Sequence, residues 1–120
     1  MATFLEQSLK YTIQGPYVMF VVTAKLKFQP NEIGTNWRLE TTILEKDMFN
    51  PDDVFQDQNW ARTFYARREI ISLDIHIPIL KRDLNTEPGT EEVYAKLKVV
   101  PLDGTFPASE ATTNKIHVSV

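Results

Sequence analysis

The chain contains no cysteine, only 4 glycines among 120 residues and no apolar run long enough to cross a bilayer. The missing thiol excludes disulfide frameworks, thiolate zinc sites and cysteine nucleophiles together. It also fits a reducing compartment. The opening MATFLEQSLKYTIQG has no basic segment followed by an apolar run and does not read as a signal peptide, so a cytoplasmic protein is expected. The most apolar stretch, Tyr17 to Ala24, falls far short of the ~20 residues a spanning helix requires. Gly15, Gly34, Gly89 and Gly104 stand singly, which leaves no glycine-rich phosphate loop. His76 and His117 are far apart in sequence and form no H-E-x-x-H pair, a poor start for a metal site. Positive charge is scarce as well: 13 basic against 16 acidic residues leave a formal charge of −3 and a pI near 5.3. A general nucleic-acid binder would carry a basic patch. No nucleic-acid partner, no membrane span and no resident cofactor are expected.

What the chain does have is alternation. Its length allows one hydrophobic core, read as a single domain over residues 1–120. From Val18 to Phe28, the residues Phe20, Val22, Ala24, Leu26 and Phe28 share one face, and Val21, Thr23, Lys25 and Lys27 the other. Trp37 to Asp47, Glu69 to Ile79 and Glu91 to Val100 alternate in the same way. An opening strand is predicted at Phe4 to Ile13, and short strands at Thr63 to Ala66 and Lys115 to Val120. The stretches Leu80 to Thr90 and Pro101 to Asn114 read as loops. The turn-rich segment Gln29 to Asn36 predicts that the first two long strands, 18–28 and 37–47, pair with each other. The fold class is therefore all-β, a two-layer antiparallel β-sandwich of about seven strands. One short helix is predicted near 51–58, because Asn50-Pro51-Asp52-Asp53 offers an N-cap, a first-turn proline and acids at the positive helix end.

The segment from Pro88-Gly89-Thr90 through Tyr94 to Val99 resembles the sixth strand of fibronectin type III and related immunoglobulin-like sandwiches. Asn114 to Val120 is similar to the last strand of such domains. The resemblance covers about the C-terminal third and implies an immunoglobulin-like fold. It implies no activity, since this architecture hosts many roles.

Four groups of residues carry candidate chemistry. Met48, Phe49, Val54, Phe55 and Trp60 sit among acids in one loop, and exposed aromatics there would form a protein-contact surface. Glu45, Asp47, Asp52, Asp53 and Asp57 in the same region could supply oxygen ligands to calcium, as in C2-type domains, although no EF-hand pattern is present. The run Arg62 to Arg68 (RTFYARR) interleaves three arginines with Phe64 and Tyr65, a pattern that can stack on single-stranded nucleic acid. The segment Trp37 to Trp60 before it has six acids against two bases, so those arginines are expected to pair with acids. Last, Ser72, Asp74 and His76 share a strand face. Neighbours two apart on a strand stand about 7 Å from each other, too far for a direct triad.

The reading that results is a non-enzymatic β-sandwich that acts through protein–protein contact or self-association. Its contact surface is either the loop 48–60 or an edge strand, with Lys25, Lys27, Lys96 and Lys98 as charges that discourage unwanted pairing. The alternatives are a calcium-binding C2-like module using the acidic loop 45–57, and a small hydrolase on the Asp74/His76 face. The first two separate on where Asp52 and Asp53 point, towards a helix start or towards a shared ion.

Overall fold

Every-other-residue burial becomes two antiparallel sheets with one core between them. A computed structural model describes residues 1–46, 51–84 and 90–119. Among these residues lie β1 (Thr3–Gln14), β2 (Tyr17–Lys27), β3 (Asn36–Glu45), β4 (Asp53–Phe55), β5 (Arg62–Tyr65), β6 (Ile70–Leu80), β7 (Thr90–Pro101), β8 (Ser109–Thr112) and β9 (Ile116–Ser119). A single helical turn, α1 (Lys81–Leu84), follows β6, and a 3-10 turn (Gln58–Trp60) precedes β5. None of the helices among the described residues is long and apolar enough to cross a membrane.

The first sheet has the order β1-β2-β6. In the second, β3 and β7 are central: β4 and β5 lie in line along one side of β3, and β8 and β9 along the far side of β7. The molecule measures 49 × 30 × 22 Å. A strand of this length spans roughly 40 Å at ~3.4 Å per residue, and two sheets ~10 Å apart account for the thin dimension.

The inward set is the predicted one. Val18, Phe20, Val22, Ala24 and Leu26 of β2 face Leu39, Ile43, Ala95, Leu97 and Val99 across the core, all buried. One end is bolted by rings: Phe28 lies 5.2 Å from Trp37 and 5.9 Å from Phe64, and Trp37 stacks on Phe106 at 5.9 Å. The Trp37 indole N–H donates to Thr35 Oγ1 at 2.7 Å, so this large ring is buried without an orphaned donor. Glu32 is buried beside it. One of its oxygens accepts the Gln29 N–H at 2.8 Å, and the other lies 3.0 Å from the Met1 amine.

Two local devices set the register of β1 on β2. Gly15, at φ 58°, and Pro16 make the two-residue connection, with Gln14 opposite Tyr17. A positive φ followed by a proline-fixed φ matches a type II′ hairpin turn. Further along, Leu5 is skipped in the pairing, since Phe4 opposes Leu26 and Glu6 opposes Lys25. This bulge switches the inward parity from Phe4 to Leu9 and Tyr11.

Several sequence expectations are corrected. The helix expected at 51–58 is absent: Asp53, Val54 and Phe55 pair as β4 with Glu45, Leu44 and Ile43, and only the 3-10 turn Gln58–Trp60 follows. A helix of one or two turns is marginal by itself, whereas Val and Phe beside an open strand gain ladder hydrogen bonds. The strands 18–28 and 37–47 do not pair; β2 pairs with β1 and β6, while β3 lies in the opposite sheet. Lys25, Lys27, Lys96 and Lys98 therefore sit on central strands and guard no edge. The strand count is nine among the described residues, because β4 was read as helix and β8 falls inside the expected loop 101–114.

Thr41 points inward from β3, is buried, and its hydroxyl has no hydrogen-bond partner among the described residues. Replacing it with the isosteric valine removes an unsatisfied polar atom from the core. Thr41→Val should raise stability by about 1 kcal/mol in denaturant unfolding. A loss of similar size would mean that the hydroxyl is satisfied.

Candidate functional site

A two-layer sandwich has two flanks, where an edge of one sheet faces an edge of the other. The flank at β1 is sutured by side chains. Asn114 acts as a one-residue strand: its Oδ1 accepts the Leu9 N–H at 3.0 Å and its Nδ2 donates to the Leu9 carbonyl at 3.4 Å. Ser109 Oγ donates to the Ala2 carbonyl, and Gln7 Nε2 to that of Thr112.

The opposite flank, between β5 and β6, is open. Strand β6 pairs with β2 along its full length and with no other strand among the described residues. Arg62 Nη1 reaches across and donates to the Asp74 carbonyl at 3.2 Å. That carbonyl therefore faces away from β2. On an antiparallel strand, the N–H and C=O of one residue point to the same side and alternate along the chain. Ser72, Asp74, His76 and Pro78 thus present their backbone to the open flank, and Leu73, Ile75, Ile77 and Ile79 present theirs to β2. Pro78 occupies a position whose missing N–H leaves the β2 ladder intact, which suits an edge strand. Openness also shows in the core: Leu73, Ile75 and Ile79 keep 5–6% exposure, against 0–1% for the inward residues of β2.

Between β5 and β6 the flank widens into a cleft of about 670 Å³. Its shape follows from how residues 62–68 are held. Phe64 pairs with Trp37 and turns inward onto Phe28. Buried Ala66 is then clamped twice, its carbonyl taking the Gly34 N–H at 2.7 Å and its N–H donating to Thr35 at 2.9 Å. Gly34 makes this approach at φ 93°, a backbone region unfavourable for other residues. Beyond the clamp, Arg67 and Arg68 emerge exposed, and the chain returns to β6 where Phe28 N–H bonds to Glu69 at 2.8 Å. The walls carry Arg62, Arg67, Arg68, the half-exposed Tyr65 and the apolar Ile70 and Ile71, and among the described residues no acid.

The expectation that these arginines pair with acids is corrected. None of the three forms an ion pair among the described residues. The nearest acids are engaged elsewhere: Glu69 lies 3.6 Å from Lys27, and Asp74 accepts the Thr23 hydroxyl at 3.0 Å. The second of these contacts also turns Asp74 towards β2, and no hydrogen bond joins it to His76 among the described residues.

The described residues of the loop 45–60 do not gather. Phe55 and Trp60 are partly buried against the core, and Val54 alone among the described contact candidates is strongly exposed, at 55%. Met48, Phe49 and Asp47 lie outside the described residues. Glu45 is buried on the inner face of β3, Asp53 is exposed in β4, and Asp57 caps the 3-10 turn by accepting the Asn59 N–H at 2.8 Å. Asp52 accepts the Tyr94 hydroxyl on the outer face of the second sheet. Among the described residues no three carboxylates or histidines converge as an ion site. Sequence reasoning named the arginine run but not its cleft. It missed Ser72 as an edge position and Asn114 as the plug of the other flank. Pro78, which lacks a backbone donor and so suits an edge or a strand end, is the sequence signal for that edge.

The Asp52 hydrogen bond, then burial, then the carboxylate charge push the Tyr94 phenol up to about 12. The folded chain thus holds this proton longer than the unfolded one. The stability it contributes is intact below about pH 10 and is lost as pH rises from there towards 12. Phenolate absorbance should show a step near pH 12 that Tyr94→Phe abolishes and Asp52→Asn moves back towards the ordinary tyrosine range; a titration unchanged by Asp52→Asn would contradict the assignment. Comparison of the chain with known protein families and with curated proteins finds no match.

Proposed function

We propose that this protein is a non-catalytic, immunoglobulin-like sandwich that binds another polypeptide along the free edge of β6. The observation that carries the proposal is that edge. It is eleven residues long, and its outward backbone groups meet only the Arg62 guanidinium among the described residues. Among the described residues β4, β5, β8 and β9 have three or four residues each, and the long edge of β1 lies beside β8 with Asn114 bonded to its Leu9 backbone. Short or covered edges are how sandwiches avoid stray pairing, so one long open edge is a docking rail.

The immunoglobulin-like reading is supported by strand order. Lettered by position, β1-β2-β6 corresponds to A-B-E, and β3-β7-β8 to C-F-G with short strands outside C. The strand that resembles the sixth of that family, β7, lies where F belongs. The loop 48–60 is the weaker of the two contact surfaces, because Phe55 and Trp60 are turned inward. Calcium binding has no supporting observation among the described residues, where Glu45, Asp52, Asp53 and Asp57 form no cluster.

Proline at Ser72 removes an outward N–H without touching the β2 ladder. Peptides selected from a random library on the folded domain should lose affinity about tenfold or more on Ser72→Pro, with the thermal midpoint nearly unchanged. Binders indifferent to Ser72→Pro but lost on Val54→Asp would move the contact to the loop and overturn the proposal.

A further inference from the structure

The arginine cleft carries information about the partner that the bare edge does not. Three guanidiniums from seven consecutive residues face one concavity in a chain of net charge −3, and among the described residues no acid lines its walls. Two acids close in sequence, Glu69 and Asp74, are committed to Lys27 and Thr23. The cleft volume, about 670 Å³, is within the range of sites that hold ligand groups, roughly 300–1,000 Å³. Its floor is mixed: Phe64 and Ile71 are half-buried, while Tyr65 and Ile70 are exposed at the rim. The outward backbone of Ser72 opens into the same space.

We propose that the cleft binds an extended acidic peptide segment, whose backbone continues the first sheet beyond Ser72 while its carboxylates meet Arg62, Arg67 and Arg68. This rests on the reading of β6 as a docking edge and adds the chemistry of what docks. Alternation in an added strand would set one row of side chains on Ile71 and Phe64 and leave the other row free to reach the rim. Guanidinium groups bind carboxylates in a planar, two-bonded geometry that lysine does not reproduce. Single-stranded nucleic acid could also use arginines and aromatics. It has no use for a row of strand N–H and C=O groups, however, and the protein's acidic balance would repel a long polyanion. A peptide fits both the charge and the edge.

The test uses the full chain and labelled peptides of alternating Glu and Val, Ser and Val, or Lys and Val, with oligo(dT) as a fourth probe, read by fluorescence anisotropy. The Glu/Val peptide should bind best and weaken as salt rises. Arg67→Glu combined with Arg68→Glu should weaken it about tenfold or more. Both side chains are exposed and form no ion pair among the described residues, so the thermal midpoint should hold. Ser72→Pro should weaken every peptide. Equal binding of the Ser/Val peptide, or indifference to the charge reversal, would overturn the acidic partner while leaving the edge reading standing. Failure of all peptides would overturn both. Oligo(dT) binding that exceeds the Glu/Val peptide and survives Ser72→Pro would make the cleft a nucleic-acid site and overturn the proposal.

Discussion

A backbone N–H or C=O at the rim of a β-sheet has to be answered by something, whether a strand, a side chain or water. Two stacked sheets have four such rims, and this molecule treats them differently. The second sheet breaks its rims into short pieces, β4 and β5 along β3, and β8 and β9 along β7. The first sheet has long rims on both sides. At β1, Asn114 supplies both halves of the missing hydrogen-bond pair to Leu9, and Ser109 and Gln7 finish the seam. At β6 the only described hydrogen bond on the side away from β2 is that of the Arg62 guanidinium to the Asp74 carbonyl.

The open flank sits where the fold can hold it still. The ring cluster of Phe28, Trp37, Phe64 and Phe106 anchors the same end of the sandwich, and the Ala66 clamp fixes the chain immediately before Arg67 and Arg68. A binding edge on a rigid support needs less ordering when a partner arrives, which favours affinity. The charge pattern follows similar logic. Exposed ion pairs contribute little stability, so the lack of an ion pair at Arg62, Arg67 and Arg68 among the described residues costs the fold little.

The long strands were legible because burial at every second residue writes itself into the chain: β2, β3, β6 and β7 were read to within a residue or two. Strand β1 is blurrier because the bulge at Leu5 places Phe4 and Leu9 on opposite parities of one strand. The segment 51–58 misled because Pro51 and its acids satisfy the local rules for a helix start, while the deciding partners, Ile43 and Leu44, lie outside that segment on the preceding strand. Pairing of 18–28 with 37–47 was inferred from adjacency along the chain, but the chain crosses between sheets through residues 28–35, so adjacency gave the wrong neighbour. Of the site, the arginine run was visible and its unpaired state was not. That state depends on Lys27 and Thr23 engaging Glu69 and Asp74, contacts that only the β2–β6 register creates.

Amide hydrogen exchange along β6 tests the central claim most directly, because it reads each backbone group separately. With one side of the strand on β2 and the other side open, Leu73, Ile75, Ile77 and Ile79 should exchange slowly, while Ser72, Asp74 and His76 exchange much faster. Uniform protection along β6, or slow exchange at Ser72, Asp74 and His76, would mean that the edge is covered and would contradict the account.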